Sequence, residues 1–111
     1  MTSQGTELAL AAYRPRPERE DDFLVFLHEE LALLRRRGHV TERRAPVVRA
    51  PKGELLVVLE WSTDHAVDDA HADPDVLEVW DRKAELAEYI APAGLSGSDI
   101  PFPRWPVIVD L

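Results

Sequence analysis

A chain of 111 residues with 45% hydrophobic side chains is the size of one domain and carries material for one core, which argues against a wholly disordered segment or two domains. With no cysteine, disulfides, thiolate metal sites and cysteine nucleophiles are excluded. Thirteen basic against 21 acidic residues, net −8, lack the basic footprint of a nucleic-acid binder. No apolar run approaches the roughly 20 residues of a membrane span, and Met1 to Thr6 has neither the basic start nor the apolar stretch of a signal peptide. A cytoplasmic chain without membrane partners is expected.

Residues 1–6 are expected to be a flexible N-terminus, residues 7–98 a folded domain and residues 99–111 a tail. Glu7 to Arg14 is a short apolar run stopped by Pro15 and Pro17, which predicts a first strand. From Glu18, Phe23, Leu27, Leu31 and Leu34 recur at helical spacing. Acidic residues open this segment, while Arg35 to Arg37 and then Gly38 close it, matching the helix dipole and a left-handed cap. Val40 to Ala50 and Glu54 to Trp61 read as a hairpin around Pro51-Lys52-Gly53. The unbroken run Leu55 to Leu59 marks a central strand covered on both faces.

A short helix capped by Ser62 or Thr63 is expected as far as His71, and another begins with Asp73 as N-cap and Pro74 as its first residue. Val76, Val79, Trp80, Lys83, Ala84 and Ala87 fall along one side of it. Residues 87–91 fit either the end of this helix or a fourth strand. Gly94 to Pro106 is expected to run extended, with Phe102 and Trp105 as anchors docked on the domain or a partner subunit, before a short edge strand at Val107 to Val109.

The order strand, helix, strand, strand, helix, strand predicts an α+β, ferredoxin-like βαββαβ fold with helices on one face of an antiparallel sheet. The doubly apolar third strand then leaves one face to be covered by a second copy, so a homodimer is expected. On Gly38, Glu60-Trp61, His71-Ala72-Asp73-Pro74 and Trp80, residues 7–95 resemble the dimeric α/β-barrel superfamily, in particular small domains similar to antibiotic-biosynthesis monooxygenases. The resemblance implies two sheets pairing across a dimer interface and a ligand cavity between sheet and helices in each subunit. Members of the family that degrade haem or oxidise substrates use an asparagine with a tryptophan. This chain contains no asparagine, so neither haem degradation nor an asparagine-dependent oxidation is expected, and no cofactor is expected.

His71 is the candidate general acid or base, imidazole being the side chain that titrates near neutrality. Tyr13, Trp61, Trp80 and Tyr89 are candidates to line a pocket for an apolar or aromatic ligand, against core and interface packing as the plainer reading. His65, Asp68, Asp69, His71 and Asp73 are the densest set of metal-ligand types. On a helix turning about 100° per residue, His65 and His71 point about 120° apart, so no metal site is expected.

Charge is uneven: residues 14–52 hold ten basic and seven acidic groups, residues 53–111 three and thirteen. That asymmetry reads as solvated faces or as a docking surface. Three functions follow as expectations. The first is a dimeric domain that at most binds a small apolar or aromatic molecule, the second a cofactor-independent monooxygenase-like or isomerase-like enzyme built on His71, and the third an acidic protein-interaction module.

Overall fold

A computed structural model describes residues 5–111; of the N-terminal stretch expected to be flexible, residues 1–4 lie outside the described residues. The first apolar run forms β1 (Glu7–Pro15), and the helical repeat after it forms α1 (Glu20–Arg36). That helix begins two residues later than the pattern suggests. Glu18 has a left-handed backbone with φ of 64°, which a helix cannot continue through. At the other end Gly38, at φ 75°, supplies the left-handed turn that directs the chain away from the helix.

The hairpin is shorter than expected. Its first strand, β2, covers only Pro46–Arg49, and β3 covers Leu55–Trp61. Val40 makes a single bridge to Trp61, after which the chain loops out and returns at Pro46, a residue without an N–H and therefore suited to open a strand. Arg35 holds the loop by donating to the carbonyls of Thr41 and Arg43. Next come α2 (Ala66–His71) and α3 (Pro74–Leu86), the latter capped by Asp73, whose side chain accepts from the Asp75 amide. His65 holds the N-cap position of α2 in place of Ser62 or Thr63. Ala87 turns to extended backbone and opens β4 (Ala87–Ile90), which settles residues 87–90 as strand. The chain ends in β5 (Val107–Asp110).

The product is an α+β arrangement, a five-stranded antiparallel sheet in the order β4-β1-β3-β2-β5 with three α-helices among the described residues. None of them is long and apolar enough to cross a membrane. β1 and β3 pair in the middle with Ala9 opposite Leu59, Ala11 opposite Val57 and Tyr13 opposite Leu55. Because side chains alternate along a strand, these six share the face that receives the helices. Phe23 and Leu27 of α1, Leu55 of β3 and Val76 of α3 are fully buried there, each contributing roughly 1.5–3 kcal/mol.

The opposite face carries Ala12, Leu56, Val58 and Val48, partly covered by Leu95 and Trp105. Leu8 and Leu10 of β1 remain 64% and 56% exposed. The tail behaves in two ways. Trp105 packs on this face and its Nε1 donates to the Ser96 carbonyl at 2.9 Å, whereas Phe102 is 84% exposed and anchors nothing in its own chain. Gly97, at φ 86°, allows the close approach; a Cβ there would stand 3.2 Å from Trp105 Nε1.

The uneven charge is answered in part within the molecule. Arg14 pairs with Glu88, Arg37 with Asp73 and Asp75, Arg43 with Glu60, and Arg44 with Asp110, so basic groups of the first half meet acidic groups of the second.

Candidate functional site

Ala9 and Ala11 place only methyl groups beneath the helices, and the sheet and helix layers do not close over them. The result is a cavity of about 340 Å³. Val57 and Leu59 of β3 extend its floor, and Leu27, Leu31 and Leu34 of α1 form its apolar roof. Trp61 and Tyr13 mark opposite ends, since Tyr13 pairs with Leu55 and Trp61 lies six residue steps, roughly 20 Å of strand, beyond Leu55 along β3. Tyr89, 58% exposed, and the exposed His71 bring the cavity to the surface.

At the Tyr13 end three polar groups meet. Lys83 Nζ lies 2.6 Å from Glu30 Oε2 and donates to Tyr13 Oη at 2.9 Å, and the Lys83 and Glu30 side chains are only 6% and 7% exposed. The ammonium also lies 4.8 Å from the Tyr13 ring centre and 5.5 Å from that of Tyr89, within cation–π range. Tyr13 is fixed edge-on against Phe23 at 5.1 Å. Burial, and then the charge of Glu30, push the Tyr13 phenol far above its ordinary range, so it stays protonated. Burial likewise raises the Tyr89 phenol.

The His71 ring packs edge-on against Trp80 at 4.8 Å. Its Nδ1 lies 2.8 Å from the Val67 carbonyl, an acceptor only, so Nδ1 carries a proton and Nε2 is the ring nitrogen left without a partner among the described residues. Chemically the site offers an apolar slot, a buried hydroxyl donor at one end and an imidazole at its mouth.

The cavity brings together all five residues singled out from the sequence: Tyr13, Trp61, Trp80, Tyr89 and His71. Sequence reasoning misses Glu30 and places Lys83 only on a helix face. The signal was present, because Glu30 interrupts the apolar stripe of α1 between Leu27 and Leu31, and Lys83 does the same on α3 after Val76 and Trp80.

The metal-ligand types part company. His65 Nδ1 pairs with Asp69 at 2.9 Å, and that hydrogen bond raises the imidazole above its ordinary value. Asp73 binds His39 and Arg37; burial pushes its carboxyl up, but His39, the Asp75 amide and Arg37 together hold it below the usual range. His71 turns to the cavity. Among the described residues, no three such side chains are grouped to hold a metal ion.

Compared with protein-family models, curated proteins and solved structures, the chain matches none.

Proposed function

We propose that this chain is a dimeric α/β-barrel domain of the ferredoxin-like kind, similar to the small monooxygenase-like domains, that binds a small apolar or aromatic molecule between its sheet and helices. The observation that carries the reading is the cavity of about 340 Å³, which falls within the size range of small-molecule sites and is apolar along most of its wall. The sheet order β4-β1-β3-β2, with the helices on one face and β5 added at the edge, supports the ferredoxin-like part. Exposed Leu8, Leu10 and Val107 support a second copy as cover for the other face.

A specific test uses the hydrocarbon tetralin in an NMR titration. The expected result is saturable shifts confined to Ala9, Ala11, Val57 and Leu59, abolished by Ala11→Phe, which fills the floor. Shifts elsewhere, or binding untouched by Ala11→Phe, would overturn the reading.

One observation favours a second reading, a cofactor-independent enzyme. His71 lines the cavity with Nδ1 tied to the Val67 carbonyl and Nε2 unengaged among the described residues, an arrangement that suits a general acid or base toward a bound substrate.

A further inference from the structure

The buried cluster of Tyr13, Lys83 and Glu30 has a polarity that selects among ligands, and its consequence rests on the cavity being a binding site. Lys83 donates to Tyr13 Oη and is paired with Glu30. Tyr13 Oη thereby serves as an acceptor, while its own proton is received by no group among the described residues. Tyr13 lines the cavity.

We propose that the Tyr13 hydroxyl is the recognition point for a neutral carbonyl oxygen on an otherwise apolar molecule. The charges of Lys83 and Glu30 offset one another 2.6 Å apart, so the polar end is close to neutral as a unit. An anionic ligand would bring a second negative charge beside Glu30 to an ammonium already paired. A cationic one would approach Lys83. A plain hydrocarbon would exclude water and leave the Tyr13 proton unsatisfied, a cost that a carbonyl acceptor removes. Burial and Glu30 keep the phenol protonated, so the donor persists over the working pH range. Lys83, by donating to Tyr13 Oη, strengthens the hydroxyl as a donor through the chain of hydrogen bonds. Tyr13 and Lys83 are here positioning groups, with no reaction assigned to them.

The experiment compares three probes of similar shape, 1-tetralone, tetralin and 1-naphthoate, by calorimetry on the full chain and on Tyr13→Phe. The wild-type chain is expected to bind 1-tetralone about tenfold tighter than tetralin, and Tyr13→Phe to bind the two alike with tetralin affinity retained. Equal affinities in the wild-type chain, or a preference that survives Tyr13→Phe, would overturn this inference and leave binding of apolar molecules standing. Tighter binding of 1-naphthoate than of 1-tetralone would overturn the neutral class. If none of the probes binds, the cavity-binding reading falls and takes the inference with it. A readout independent of the variant is the infrared carbonyl stretch of bound 1-tetralone. It is expected to shift to lower wavenumber, and an unshifted band would count against the hydrogen bond even if Tyr13→Phe does not fold.

Discussion

Lys83 of α3 and Glu30 of α1 form an ion pair of 2.6 Å with both side chains buried, and it joins the two helices over the cavity. A pair of this kind is costly to break from one side, because the remaining charge has no water to turn to. Lys83→Met is expected to destabilise the chain by about 3–5 kcal/mol in urea unfolding, while Glu30→Met with Lys83→Met recovers most of the loss. A cost below about 1 kcal/mol for the single change would show that the pair is not desolvated in solution.

Glu54, 2% exposed, accepts from both the amide and the hydroxyl of Ser96, whose carbonyl receives Trp105. Burial pushes its carboxyl up, but hydrogen bonds, those from Ser96 included, and then the charge of Arg14 hold it below the ordinary value of 4.5. A carboxyl lowered on folding stabilises the chain in full above its unfolded value, and that contribution fades as pH falls through the folded value. The protection of the Ser96 amide, its exchange rate relative to the intrinsic rate at each pH, is therefore expected to fall below about pH 4.5 in the wild-type chain. Glu54→Gln should remove that pH dependence.

Leu10 is 56% exposed in the single chain and stands opposite Val58 on the face away from the helices. Leu10→Glu is expected to leave the fold intact and to shift sedimentation equilibrium from a dimer to the 12.5 kDa monomer. A wild-type chain that already sediments as monomer would refute the dimer.

The two aromatics of the tail should separate. Phe102→Ala, at a side chain 84% exposed, is expected to change the stability of the single chain by no more than about 0.5 kcal/mol. Truncation after Ser98 removes Trp105 and all of β5, and a loss of at least about 2 kcal/mol is expected, with a lowered melting temperature. If Phe102→Ala proves the more damaging change, that ring is buried in solution and its exposure in the single chain does not hold.

The elements were most legible where several local signals agreed. In α1 the apolar period, the acidic start, the arginines and Gly38 all gave one answer, and in β3 five apolar residues left no other. They misled where long-range contacts decide. Val40 to Ala45 has strand-forming residues, yet the carbonyls of Thr41 and Arg43 are held by Arg35, and the Thr41 hydroxyl donates to Glu60, as parts of a loop. The aromatic part of the site was readable because large rings have few places to go in a small domain. Its polar part was not, since one charge on an apolar stripe is uninformative until the opposite charge on another helix is known to face it. Phe102 shows the reverse error, an apolar residue whose type suggests burial while its position leaves it in solvent.

Trp61 and Trp80 line the cavity, and Trp105 lies across the sheet against Leu56 and Leu95. The molecule therefore carries optical reporters sorted by face. With Trp105 replaced by Phe, emission changes would register events between the sheet and helices alone; with Trp61 and Trp80 replaced, they would register the outer face alone. The proposed ligand binding and the proposed subunit pairing would thus be read separately, each on its own variant and without any attached dye.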